Sequence, residues 1–160
     1  MNLTGQFLVS MPSLEDERFF KTVIFMCAHS KEGAMGIIIN KKIDYDLYPD
    51  LLQQLGIDKP LSNKKLFLRY GGPVESGRGF ILHTDEVIRK ESITIDKGIV
   101  LTSTAEFFGD LAKGKGPKKS ILALGYAGWE PGQLENEITS NSWMNLSTDS
   151  GFLFDEEVSN

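Results

Sequence analysis

The sequence predicts an α+β domain, and three observations carry that expectation. Short runs rich in β-branched and aromatic residues recur from Gln6 onward, bounded by glycine and polar turn residues. Three stretches show helical spacing of their apolar residues instead of alternation. The two kinds of segment mix without the strict alternation that a doubly wound parallel sheet requires.

The elements follow in order. QFLVS at 6–10, TVIFMCAH at 22–29 and AMGIIIN at 34–40 read as strands, and the SKEG between the last two is a short glycine-containing loop that suits an antiparallel hairpin. LYPDLLQQLG places Leu51, Leu52 and Leu55 on one stripe, with Asp46 and Asp50 at its start and Gly56 at its end, which predicts a helix. LFLRYGG at 66–72, GFILHT at 79–84 and GIVLTS at 98–103 are further strands. STAEFFGDLAKG opens on Ser103 and Glu106, the spacing of a capping box, and continues with Phe107, Phe108, Leu111 and Ala112 on an apolar face. SILALGY at 120–126 is apolar at successive positions, as a strand covered on both faces would be. The glycine-rich LGYAGWEPGQLENEI then reads as a turn into a helix, with Pro131 in the first turn, Leu134 and Ile138 inward, and Gln133 and Glu137 paired on another face. SWMNLS and GFLF close the chain as short strands.

Composition bounds the rest. At 160 residues, with 41% hydrophobic and 24% charged residues, the chain suits one domain spanning 1–160 with its own core. Nothing resembles a linker, a repeat or a membrane span. The acidic tail DEEVSN, about 155–160, is left open between order and disorder. The first twenty residues lack a basic start and carry Glu15, Asp16 and Glu17, so export is not expected, and one cysteine, Cys27, offers no disulfide framework. The cytoplasm is the default location. A formal charge of −5 opposes a broad phosphate-binding surface. Lys113, Lys115, Lys118 and Lys119 form the one basic cluster, which fits a helix C-terminus and lacks the strand-before, helix-after order of a P-loop.

Chemistry-bearing patterns are few. Gly125, Gly128 and Gly132 do not have dinucleotide spacing, and Glu130 puts an anion where a phosphate would sit. Cys27 and His29 stand i,i+2, so a thiol and an imidazole could share a strand face, although VIFMCA is apolar enough for an inert buried cysteine. His29 and His83 have no metal-ligand pattern around them, so no metal and no cofactor is expected. Arg78, between glycines, is read as a solvated side chain unless a carboxylate or phosphate meets it.

Taken together, GQFLVSMPSLEDERFFKTVIFMCAHSKEGAMGIIINK, YGGPVESGRGFILH, LGYAGWEPGQLENEI, NSW and the final FLF resemble the AlgH/YqgE family of small bacterial proteins across residues 4–154. The blocks G-A-M-G, G-G-P-V, R-G-F-x-L-H and G-Y-A-G-W-x-P-G-Q-L-E occur in the family's order. The resemblance implies a bifurcated mixed β-sheet, part of it closing as a small barrel, with helices packed outside. It also brings the label of transcriptional regulator. Helices separated by strands in an acidic chain do not make a helix-turn-helix, so direct DNA reading is not expected.

The motif positions nominate one cleft at strand ends, formed by Asn40, Gly71, Gly72, Pro73, His83, Tyr126, Trp129, Gln133 and Glu135. The leading expectation is a noncatalytic domain that binds a protein partner or a small-molecule ligand, because glycine, proline and aromatic residues shape surfaces and paired titratable groups are scarce. The alternative is a metabolite sensor or enzyme using a cleft near His83 and Trp129, with His83 carrying a proton. A nucleic-acid regulator working through Lys113 to Lys119 is the third.

Overall fold

The computed structural model describes residues 2–43, 68–112, 116–147 and 153–154. The helix expected at 47–56 falls outside these residues, as do Lys113, Lys115, the first half of GFLF and the acidic tail. Among the described residues the strands are β1 (Phe7–Ser10), β2 (Val23–Ser30), β3 (Gly33–Ile38), β4 (Leu68–Tyr70), β5 (Val74–His83), β6 (Ile93–Asp96), β7 (Ile99–Thr102), β8 (Ser120–Trp129) and β9 (Trp143–Leu146). The helices are α1 (Ala105–Ala112) and α2 (Gln133–Thr139), with a single 3-10 turn at Glu17–Phe19. The α+β expectation therefore holds, with sheet predominating.

The strands form one sheet in the order β6-β7-β5-β8-β3-β2-β1-β9, with β4 branching from β8. All pairings are antiparallel except β4 with β8. The described strands do not close into the small barrel. The ladder runs from an edge at β6 to an edge at β9, and no pairing joins those edges among the described residues.

β8 organises the sheet. One of its edges carries β4, at Leu122–Leu124, and then β3, at Ala127–Trp129, while β5 lies along the other. The branch arises because β4 inserts between β8 and the continuation of β3: Gly71 N–H donates to the Leu124 carbonyl, and Ile38 N–H donates to the Gly71 carbonyl. Gly71 thus sits on one edge of β8 and Val74, paired with Tyr126, on the other. The chain between them crosses over the strand. Both backbones must be bare there: a Cβ on Gly72 would come within 2.1 Å of the Tyr126 carbonyl carbon, and one on Gly125 within 2.3 Å of the Gly72 oxygen. Gly125 also takes a φ of 76°, which shifts the side-chain alternation of β8 by one residue.

The core lies on both faces of the sheet. On one face Leu8, Ile24, Met26, Ile38, Trp129 and Trp143 pack with Leu134 of α2, and Leu68, Ile81, Leu122 and Leu124 pack with Phe107 and Phe108 of α1. On the other, Phe7, Phe25, Cys27 and Ile37 join Phe80, Leu82, Ile121 and Leu153. Neighbouring residues of β1, β2 and β3 divide between these faces, as strand alternation demands.

Three details depart from the sequence reading. The segment AGW continues β8 to Trp129 as strand, where a turn into a helix was expected. The N-cap of α1 is Thr104, whose hydroxyl accepts from Phe107 N–H at 3.3 Å, because the Ser103 hydroxyl is drawn to the Gly79 carbonyl at 2.6 Å. Leu153 and Phe154 are not in a strand; Leu153 is buried against the face opposite the helices.

Candidate functional site

The crossing of β8 leaves a site at its C-terminal end. β5 parts from the strand at the Val74–Tyr126 pair, so Ala127–Trp129 have β3 on one side and, among the described residues, no strand on the other. A hollow opens on each face of the sheet beside that free edge. The smaller, of about 110 Å³, lies on the helix side against Leu14, Phe19, Pro73 and Trp129, with Asp16 and Arg18 at its rim. The larger is a shallow groove of about 500 Å³ floored by Ala28, Met35 and Tyr126, with Glu32 and Glu130 among its lining residues. Val74, Gly128 and Trp129 line both.

A hydrogen-bonded clasp builds the helix-side wall. Glu137 of α2 accepts at Oε1 from the Trp129 indole, 3.1 Å, and from the Trp143 indole, 2.9 Å. Its Oε2 accepts from the Gln133 amide at 2.8 Å, and Gln133 Oε1 in turn accepts from Glu130 N–H at 2.9 Å. The two indoles meet edge to face with centroids 5.9 Å apart, and Phe19 packs on Trp143 in the same manner. One carboxylate thus ties β8, α2 and β9 together. At the rim, Arg18 holds Asp16 through Nε and NH2, and this hydrogen bonding keeps the Asp16 carboxyl below its ordinary range.

Of the residues nominated from sequence, Gly71, Gly72, Pro73, Tyr126, Trp129 and Gln133 meet at this fork. The other three do not share it. Asn40 pins the exit of β3, accepting from Val23 N–H at 2.9 Å and donating to the Lys21 carbonyl at 3.0 Å. Glu135 accepts from His29 Nε2 at 2.9 Å, while His29 Nδ1 accepts from Leu3 N–H. The histidine hydrogen bond is the chief reason that the Glu135 carboxyl is lowered. His83 pairs with Ser120 at the opposite end of β8 from Trp129, about 30 Å away at 3.3 Å per residue. A single cleft containing both His83 and Trp129 is therefore not formed.

His83 is fully buried, with Nδ1 donating to the Thr84 carbonyl at 2.7 Å and Nε2 accepting from the Thr102 hydroxyl at 2.8 Å. Burial pushes its pKa below the usual histidine value. Cys27 and His29 are not neighbours either. Cys27 follows Phe25 into the Phe7–Phe25 cluster, and the register shift between Met26 and Ala28 turns His29 to the other face, toward Leu3 and α2. Burial raises the thiol pKa to about 12. Arg78 is exposed to solvent, with its guanidinium 5.0 Å over the Phe80 ring, bonded to Ser103 and 3.6 Å from the Glu75 carboxylate.

Sequence reasoning missed Glu137 as the hub, and with it Val74, Glu32 and the 3-10 turn. The Gln133–Glu137 spacing was the one legible signal. The convergence of three elements on a single carboxylate has no sequence signature.

A family model described as AlgH-like matches residues 7–160. A UPF0301 protein of Rhodopseudomonas palustris is 48% identical over 164 aligned positions, covering 98% of this chain and 77% of its own. The solution structure of the AlgH protein from Pseudomonas aeruginosa is 35% identical and superposes with a TM-score of 0.83 over 97% of this chain and 82% of that one. A crystal structure of a Corynebacterium diphtheriae protein shares the fold, with a TM-score of 0.70 at 22% identity over 93% of this chain and 78% of that one. No helix among the described residues is long and apolar enough to cross a membrane.

Proposed function

The chain belongs to the AlgH-like family, and from that premise we propose that it is a noncatalytic binding domain whose ligand or protein partner seats at the fork of β8. Any regulatory effect is exercised through that partner. One observation carries this reading: G-G-P-V and G-Y-A-G-W-E-P-G-Q, more than fifty residues apart in sequence, are used together to bare one strand edge between two hollows. Such hollows are where ligands bind. The titratable groups of the helix-side wall are meanwhile occupied in holding structure, Glu137 by two indoles and an amide and Asp16 by Arg18. A general acid or base needs a proton-transfer partner within hydrogen-bond reach, and these oxygens already have theirs. Glu32, Glu130, Glu137 and Asp16 around the hollows also disfavour a nucleic-acid backbone, in line with the chain's negative charge.

The test is native mass spectrometry of the full chain isolated gently from its own cells, alongside a Gly128→Leu variant whose side chain projects into the groove beside the free edge. The wild type should carry an added mass, a small molecule or a subunit, that is lost on denaturation and missing from the variant. Bare wild-type protein, or the same added mass on the variant, would overturn the proposal.

A further inference from the structure

We infer that the fork is a strand-addition site: an extended segment of a protein partner pairs along the free edge of β8 at Gly128, placing an aliphatic side chain against Trp129 and a neighbouring basic side chain beside Glu32 and Glu130. The inference rests on the binding reading above and names the partner's chemistry.

Gly128 supplies the first argument. The other glycines of β3 and β8 that have been described are forced: a Cβ on Gly33, Gly36 or Gly125 would come within 2.6 Å of neighbouring atoms. Gly128 has no such excuse. It is exposed, its φ is ordinary, and its Cβ would meet only Tyr126 Cε2 at 3.6 Å and Val74 Cγ2 at 3.8 Å, both normal contacts. A glycine weakens a strand interior, and one without a packing reason is often found where a ligand or another backbone comes close.

The edge itself is the second. Val74 covers it at Tyr126, and Gln133 caps Glu130 through both its amide side chain and its backbone N–H. Between these two closures, no hydrogen bond outside the β3 ladder reaches Gly128 among the described residues. An unpaired strand edge of this kind accepts an added strand through main-chain hydrogen bonds, while alternate side chains find pockets on the two faces.

The two hollows fit that alternation. Tyr126, Gly128 and Glu130 lie at i, i+2 and i+4 and face the groove, whereas Trp129 faces the helix side. A residue of the added strand opposite Trp129 therefore enters the smaller hollow. Its volume of about 110 Å³ is well below that of a small-molecule site, which runs from roughly 300 Å³. It holds one short aliphatic side chain. The next residue falls opposite Glu130, on the groove side, where Glu32 of the β2–β3 turn also lies. Neither carboxylate has a cationic partner among the described residues, and Lys31 of the same turn does not line the groove. Charge complementarity thus selects lysine or arginine at that position.

The probe is a library of N-acetylated, C-amidated hexapeptides screened against the full chain, with the best binder titrated by fluorescence anisotropy. Selected peptides should share an aliphatic residue next to a basic one. Methylating one backbone amide of the binder should weaken it about tenfold, as the loss of an edge hydrogen bond and a steric block would. Gly128→Leu, whose side chain would occupy the groove where the basic residue lies, should weaken it as well. Glu32→Gln with Glu130→Gln should cost about fivefold and flatten the salt dependence. Peptide binding that is indifferent to every single N-methylation overturns strand addition and leaves the binding site in place. Absence of any peptide binder, together with a small molecule retained by wild type and lost by Gly128→Leu, overturns the peptide partner but not the site. Bare wild-type protein with no peptide binder overturns both. The N-methyl scan uses wild-type protein, so the inference stays testable if the leucine variant folds poorly, and Gly128→Ala then replaces it in the mass comparison.

Discussion

Gly125 and Gly128 lie three positions apart in β8, and substituting each by alanine should have opposite effects on stability. At Gly125 the backbone is left-handed, φ 76°, which costs a non-glycine residue about 1–2 kcal/mol. The new Cβ would also stand 2.3 Å from the Gly72 oxygen and 3.1 Å from Ser76 Cα and the Val74 oxygen, all backbone atoms that cannot rotate away. Overpacking of this kind costs typically about 1–3 kcal/mol, so Gly125→Ala is expected to lose about 2–5 kcal/mol in all. At Gly128 the nearest atoms stand 3.6 and 3.8 Å off, and alanine in a strand interior is better than glycine by about 0.5–1 kcal/mol. For a chain of 160 residues, each kcal/mol moves Tm by about 2–4 °C, so the two variants should melt about 10 °C apart. Urea unfolding followed by circular dichroism gives the free energies, with an unchanged m-value showing that the same surface unfolds. A Gly125→Ala protein within about 1 kcal/mol of wild type would refute the crossing, and a loss above that at Gly128 would refute the claim that its glycine serves something other than the fold.

Two further predictions concern buried groups. His83 is held neutral by burial, with its folded pKa below 6.5. Between that folded value and 6.5 the unfolded chain binds the extra proton, so stability is fully present above about pH 6.5 and falls as pH drops, by at most about 1.4 kcal/mol per pH unit. His83→Gln, whose amide can still meet Thr84 and Thr102, should show a shallower fall between pH 6.5 and 5, and equal slopes would contradict the assignment. Cys27, with its thiol at about 12 inside an apolar cluster, should react with a thiol reagent at neutral pH only through opening of the sheet. Its labelling should accelerate in step with added urea, and rapid labelling without denaturant would show the thiol to be accessible.

The legible parts of this fold are those fixed by local pattern. The β2–β3 hairpin, the buried run of β8 and the apolar faces of α1 and α2 each depend on neighbours in sequence, and each is found. β6 was missed although Ile93-Thr94-Ile95-Asp96 alternates and leads into a Lys97-Gly98 turn, because four residues are too short a signal beside the stronger β7. The alternation rule failed where glycine or a bulge resets it, at Cys27 and again at Gly125, and both failures moved residues to the other face. The candidate site was half legible for the same reason. Glycine clusters announced an unusual backbone near Gly72 and Gly125, but whether His83 joins them is a question of register along β8, which local pattern does not determine.

The two roles of glycine at the fork bear on how function can be tested at all. The free edge exists because the chain changes sides of β8 at Gly72 and leaves the strand's last three residues uncovered, so the crossing makes the fold and the site at once. Substitutions at Gly71, Gly72 or Gly125 would remove both together and could not distinguish a binding defect from unfolding. Glu137 has the same ambiguity, since its loss would strand two indole N–H groups that are largely shielded from water. Gly128, Glu32 and Glu130 are different. They lie on the exposed edge and groove, make no side-chain contact on which the core depends, and so are the positions where recognition can be altered while the sheet is left standing.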